Sequence, residues 1–125
     1  MVDVGDDEFE SMVEAGVDAI PEGFAKHMEN VAVTWADWPD FWQRLRSGLK
    51  PGRLLFGLYE GIPKTRRGNS YSGVLPDKIT IFKLPLQQVA RDKDHLSELV
   101  KETVWHEVAH HFGLNDNEIH RRQKK

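Results

Sequence analysis

Residues 106–116 read His-Glu-Val-Ala-His-His-Phe-Gly-Leu-Asn-Asp, which is the pattern HExxHxxGxxD. On a helix, His106 and His110 lie one above the other on the same face because they are four residues apart. Two imidazoles arranged in this way can hold one zinc ion, with Glu107 beside them to activate a water molecule. At this composition HExxH arises by chance with a probability of roughly 2%, so the pattern predicts a zinc site.

A third zinc ligand is expected beyond the end of the motif helix. Gly113 is a natural end of that helix because glycine tolerates the left-handed conformation found there. Asp116 follows three residues later and can fold back toward the ion. Glu118 and His120 are the competing ligands, and His120 is the weaker of the two because it lies ten residues past the second motif histidine.

Apolar residues recur at every fourth position along the motif helix. They are Leu96, Val100, Val104, Val108 and Phe112. Each motif histidine lies two residues past one of them, which is about 200° round the helix. We therefore expect one face in a core and the imidazoles on a cleft, with His111 either exposed or beside the ligands. Asp94 or Ser97 is the expected N-cap.

The same pattern predicts a hydrolytic mechanism. A zinc ion with three protein ligands keeps one position for water and lowers the pKa of that water toward neutrality. Glu107 would take the proton as the water attacks a carbonyl group, and would deliver it to the leaving amine. Tyr59 and Tyr71 are the two tyrosines of the chain. Either could donate to an oxyanion, although we favour core or surface packing for both.

Length and composition indicate one ordinary globular domain over residues 1–125. The chain is 39% hydrophobic and 30% charged, and its net charge of -3 gives no attraction to nucleic acid. It contains no cysteine, which excludes disulfides and thiolate zinc sites. An acidic start and the lack of a long apolar run predict a cytoplasmic protein without membrane contact. We expect a monomer.

Basic residues are concentrated in two places. Lys64, Arg66 and Arg67 lie in a stretch that contains Gly and Ser, and residues 121–125 read Arg-Arg-Gln-Lys-Lys. We interpret both clusters as solvated. A nucleic-acid binder that uses both clusters is an alternative hypothesis, and it predicts strongly salt-dependent binding of oligonucleotides.

Hydrophobic periodicity predicts helices and strands that do not alternate strictly. The expected helices are 6–19, 21–28, a short one within 36–52, a turn at 85–91 and the motif helix; the expected strands are 31–35, 54–60 and 78–83. This order favours an α+β fold. Five apolar residues of the 36–52 segment fall at helical spacing, and we expect the aromatic ones to pack in the core or to line a cleft rather than to stack on a ligand. The five residues are Trp38, Phe41, Trp42, Leu45 and Leu49.

Three separate segments carry a resemblance to known proteins. Residues 57–63 read GLYEGIP, residues 72–82 read SGVLPDKITIF and residues 103–114 read TVWHEVAHHFGL. With these segments the chain resembles the small bacterial zincin-like metallopeptidases, sometimes called minimal zincins, from about residue 8 to residue 120. The resemblance implies a reduced zincin-like fold, in which a small mixed β-sheet is packed by helices that include the HExxH helix.

The resemblance also implies functional residues. It assigns zinc binding to His106, His110 and Asp116, and it assigns the general base to Glu107. In metzincins a histidine stands where this chain has Asp116, and a methionine turn follows the motif. Here all three methionines precede the motif. We therefore expect neither a methionine turn nor a C-terminal subdomain below the cleft.

Motif and resemblance together predict a zinc-dependent metallopeptidase whose substrates are peptides or unfolded protein chains. The alternative is a non-catalytic, zinc-stabilised module that binds a peptide or a protein partner, which would suit a cleft that lacks one half. The two hypotheses differ in whether the biological role needs Glu107.

Overall fold

Helices and strands are interspersed along the chain without strict alternation, which confirms the α+β class. The computed structural model describes residues 2–28, 30–49, 52–61 and 77–113. In chain order, the elements of these ranges are α1 (Asp6–Asp18), α2 (Glu22–Ala25), β1 (Val31–Ala36), α3 (Phe41–Ser47), β2 (Gly57–Glu60), β3 (Asp77–Phe82), α4 (Lys83–Val89) and α5 (Lys93–His111). Within the same ranges, no helix has both the length and the apolar character needed to cross a membrane.

The three strands form one mixed sheet with β3 in its centre, in the order β1-β3-β2. β1 pairs with β3 in parallel, and β2 pairs with β3 in antiparallel orientation. Ile79 of β3 lies opposite both Val33 and Tyr59, so these three side chains project from one face of the sheet. Gly57 and Ile81 belong to the same face because alternate residues share it. This face packs against α1 and α5, and both of its isoleucines are fully buried there.

The apolar stripe of α5 lies in the core, as predicted. Its fully buried members are Leu96, Val100, Val104 and Val108. The fifth member, Phe112, is partly buried and contacts the ring of Phe24 in α2 edge-on, with 5.1 Å between the ring centroids. Helix α1 contacts the stripe at Val104. The residue of α1 at this contact is Gly16, where an added Cβ would lie 3.2 Å from Cγ2 of Val104. The missing side chain therefore lets the two helices pack closely.

The start of α5 differs from the prediction. The helix begins at Lys93, and its N-cap is Asp92 rather than Asp94 or Ser97. The Asp92 carboxylate accepts a hydrogen bond of 2.7 Å from the backbone N–H of His95, which satisfies one of the free donors of the first turn. Asp94 is not the N-cap because it lies within the first turn of the helix. Its negative charge is favourable there through the helix dipole.

β2 is shorter than the strand predicted from residue 54. It begins at Gly57 because its partner β3 ends at Phe82, where the chain turns directly into α4 at Lys83. The backbone N–H of Phe82 still donates to the carbonyl of Phe56 at 2.9 Å, and β3 then leaves the sheet. The helical turn predicted before the motif helix is confirmed as α4.

The short helix predicted within 36–52 is confirmed as α3, but the apolar side chains of this segment do not pack in the core, so that part of the prediction is wrong. The large apolar side chains that are exposed here are Trp38, Phe41, Trp42, Leu45 and Leu49. A capping box between Asp40 and Gln43 starts the helix. Gln43 is nearly buried and donates to Glu60 of β2 at 3.3 Å, and Arg46 pairs with the same carboxylate. These polar contacts turn the opposite, apolar side of α3 toward solvent.

Leu96→Ala should lower the free energy of unfolding by about 2–5 kcal/mol, because truncating a fully buried leucine leaves a cavity in the core. Leu45→Ala removes the same atoms from a side chain that is 62% exposed, and should change the free energy by no more than about 0.5 kcal/mol. Urea denaturation followed by circular dichroism measures both variants. Equal losses in the two would contradict the burial of the α5 stripe.

Candidate metal centre

The two motif histidines lie on the side of α5 that faces away from the apolar stripe. Their imidazole rings are 4.5 Å apart between centroids, which confirms the shared face predicted from their spacing. Both His106 and His110 are partly exposed, so a ligand can reach them from solvent. The position of the rings follows from the packing of the opposite side of α5 into the core.

Glu107 differs from the histidines because it is nearly buried, with 8% of its side chain exposed. One of its carboxylate oxygens lies 3.3 Å from Nδ1 of His110. The stem of Glu107 passes close to β2 at Gly57. An added Cβ at Gly57 would lie 3.2 Å from Cγ of Glu107 and 2.7 Å from Cγ2 of Thr103. Gly57 therefore lets β2 approach α5 closely enough to hold the Glu107 side chain in place.

The donor atoms of this cluster are close enough to share a metal ion. One donor atom each from His106, Glu107 and His110 all lie within 4.8 Å of one another. Two donors bound to one tetrahedral zinc ion at about 2.1 Å are about 3.4 Å apart, so small side-chain rotations are sufficient. Imidazole and carboxylate are also donor types that zinc accepts. The described residues therefore fit a zinc ion.

A pocket of about 420 Å³ opens beside the cluster. Its apolar lining comes from the segment before β2, from α4 and from α5, with side chains of Leu54, Leu55, Phe56, Leu86 and Leu99. Its polar lining consists of Glu102, Thr103, His106 and Glu107. The volume is in the range of small-ligand sites. The pocket therefore places an apolar group of a ligand directly beside the donor cluster.

Residues 28–125 match the model of a protein family described as zincin-like metallopeptidase. The chain belongs to this family. The match confirms the resemblance drawn from three segments, although it starts at residue 28 rather than near residue 8, so that α1 and α2 precede it. A comparison with curated proteins finds no match. Membership of the zincin-like family implies a metal, usually zinc, and the donor cluster on α5 is where such an ion fits.

The structure of this zincin-like protein brings together three of the four predicted site residues: His106, Glu107 and His110. The predicted left-handed end of the helix is also confirmed, because Gly113 has a φ of 77° and its N–H donates to the carbonyl of His110 at 2.9 Å. Other residues considered from the sequence lie outside the described ranges: Asp116, Glu118, His120, Tyr71 and both basic clusters. The third zinc ligand therefore stays a prediction.

Two residues beside the centre have contacts that the sequence reasoning missed. His111 is fully buried, and its Nδ1 lies 2.8 Å from Oδ2 of Asp77, so of its two expected positions, exposed or beside the ligands, the exposed one is wrong. Tyr59, considered above as an oxyanion donor, donates its hydroxyl to the same Asp77 oxygen at 2.6 Å. A signal was present in the sequence: Asp77 starts an apolar strand, where a carboxylate is costly to bury without hydrogen-bond donors.

Gly57→Ala should lower the free energy of unfolding by about 1–3 kcal/mol, because the new Cβ overlaps Cγ2 of Thr103. Adding Thr103→Ser removes that methyl group and should recover part of the loss. Gly23→Ala is the matched control, since nothing lies within 4 Å of an added Cβ there, and it should be neutral or stabilising. Chemical denaturation measures all three. A double variant no more stable than Gly57→Ala would contradict the contact.

Proposed function

We propose that the protein is a zinc-dependent metallopeptidase that hydrolyses peptide bonds in peptides or unfolded protein chains. The observation that carries the proposal is the cluster of His106, Glu107 and His110 donor atoms, of which His106 and Glu107 also line the apolar pocket. Membership of the zincin-like metallopeptidase family supports the same reaction class. Peptides and unfolded chains are the proposed substrates because they can enter a pocket of this size as extended segments.

The residues of the cluster take distinct roles in this proposal. His106 and His110 would hold the zinc ion, with Asp116 as the third protein ligand. When bound, the ion would polarise the substrate carbonyl and make a water molecule more acidic. Glu107 would accept a proton from water as the water oxygen bonds to the carbonyl carbon, and would pass that proton to the amine nitrogen as the carbon–nitrogen bond breaks. The contact with Gly57 suits this role because it keeps the carboxylate oriented toward the histidines.

The surroundings of the cluster favour an extended peptide with an apolar side chain next to the bond that is cleaved. The leucine and phenylalanine side chains of the pocket would receive that side chain. Gly57 contributes to the pocket as well as to β2, and among the described strands β2 lies at an edge of the sheet. An extended peptide could therefore pair with the backbone of β2 while its side chain occupies the pocket.

Zinc-loaded protein should cleave members of a diverse peptide library, preferentially beside leucine or phenylalanine, and a chelator should stop the cleavage. Glu107→Gln should slow cleavage by about 100-fold or more, because an amide cannot accept the proton, while zinc per chain stays at the wild-type level. Mass spectrometry of the products and elemental analysis of the dialysed protein measure the two effects.

Three results of this experiment would speak against the proposal. Cleavage that continues unchanged when a chelator is added would count against a zinc-dependent peptidase. Loss of zinc in Glu107→Gln would make Glu107 a ligand rather than the base. A wild-type protein that retains zinc but cleaves nothing would favour the non-catalytic, zinc-stabilised binding module.

Asp116→Ala should weaken zinc binding by more than about 100-fold, because losing a ligand costs more than losing a residue that orients one. Glu118→Ala and His120→Ala are the controls, and both should keep the wild-type zinc Kd. Competition with a chromogenic chelator measures all three variants. Unchanged affinity in Asp116→Ala, together with a loss in one of the controls, would identify that residue as the third ligand instead.

A further inference from the structure

A buried hydrogen-bond cluster joins the sheet to the end of α5 that carries the candidate metal centre. Oδ2 of Asp77 accepts one hydrogen bond from the Tyr59 hydroxyl (2.6 Å) and one from Nδ1 of His111 (2.8 Å). The Tyr59 hydroxyl donates to this oxygen, and His111 does so in the tautomer that carries its proton on Nδ1. Asp77 is 2% exposed and His111 has no exposed surface, so water does not compete for these bonds.

Asp77 is suited to act as an anchor because both its backbone and its side chain are held. It is the first residue of the central strand, and its backbone N–H donates to the carbonyl of Asn30 at 2.9 Å. Its second carboxylate oxygen, Oδ1, lies against Gly61, where an added Cβ would come within 2.5 Å. The carboxylate therefore has a fixed position on the face of the sheet that α5 covers.

The hydrogen bond from His111 acts on the last turn of α5. Helix ends tend to fray because their last carbonyl groups lack intrahelical partners. His111 is the final residue of α5, and the chain leaves the helix through Gly113 in the left-handed conformation. Successive helix residues project about 100° apart. Holding the ring of His111 against the sheet therefore also sets the direction in which His110 points.

We infer that Asp77 is a positioning residue of the metal centre, acting through His111 on the orientation of His110. The inference rests on the proposed zinc site. The bond from His111 to Asp77 (2.8 Å) is the shorter link from the sheet to the metal-binding turn, whereas the Tyr59 hydroxyl, which donates to Asp77, lies 3.5 Å from Nδ1 of His111.

Asp77→Ala should raise the Kd of the full-length protein for zinc by about 10–100-fold, the loss typical when a group that orients a metal ligand is removed. Competition with a chromogenic chelator measures the Kd. The visible absorption spectrum of the cobalt-substituted protein should change as well, because the ligand geometry relaxes. Asp77→Asn keeps an oxygen that can accept from both donors, and should restore the Kd to within about threefold of wild type.

Tyr59→Phe is the matched control. It removes one hydrogen bond to the same Asp77 oxygen and the longer contact of 3.5 Å with Nδ1 of His111, but it leaves the 2.8 Å bond between His111 and Asp77 in place. It should lower the melting temperature and leave the zinc Kd and the cobalt spectrum unchanged. Where Asp77→Ala does not fold, His111→Leu takes its place, because it removes the donor and keeps an apolar side chain in the buried position; its zinc Kd should rise by a similar factor.

Wild-type zinc affinity in folded Asp77→Ala or His111→Leu would overturn the inference. If the wild-type protein itself binds no zinc, the proposed function fails, and hydrogen exchange in the metal-free protein decides the inference. The amides of Phe112 and Gly113 should then exchange about tenfold faster in Asp77→Ala than in wild type or Tyr59→Phe. Equal exchange rates in the three proteins would overturn it.

Discussion

Packing of α5 against two partners at once is the constraint on which the rest of the structure depends. The helix packs against the sheet and against α1, and a close approach to each occurs where the partner has a glycine. Gly16 admits Val104 to α1, and Gly57 admits Thr103 to β2. Because a helix is stiff, fixing one face in this way also fixes the direction of the opposite face, on which the motif histidines lie.

The donor cluster is therefore held by contacts that are not themselves part of it. Glu107 lies at the boundary between the two faces of α5, with its stem beside β2 and its carboxylate beside His110. At the end of the helix, His111 reaches the carboxylate of Asp77 on the central strand. A site built from neighbouring residues of one helix needs such outside contacts, because the spacing of the side chains along the helix does not by itself fix their rotamers.

Local patterns were sufficient wherever the outcome depends on a few neighbouring residues. The four-residue repeat of the stripe, the alternation in β1 and the glycine at the end of α5 each predicted the structure that is found. α3 shows where such patterns fail. Its apolar residues fall at helical spacing as those of the stripe do, but the helix exposes them because Gln43 and Arg46 bind Glu60 of β2. Spacing predicts that a helix has an apolar face, and it does not predict which face the rest of the protein covers.

The sequence by itself determined the pair of histidines on one helix face, the glutamate beside them and the point at which that helix ends, because these depend on helical geometry over a few residues. Only the tertiary structure decided that His111 is buried against Asp77 and that Gly57 lies against Glu107. The first of these contacts joins residues 34 positions apart in the chain. No local periodicity specifies which turn of a helix meets which residue of a strand, since that choice is made when the sheet and the helices pack together.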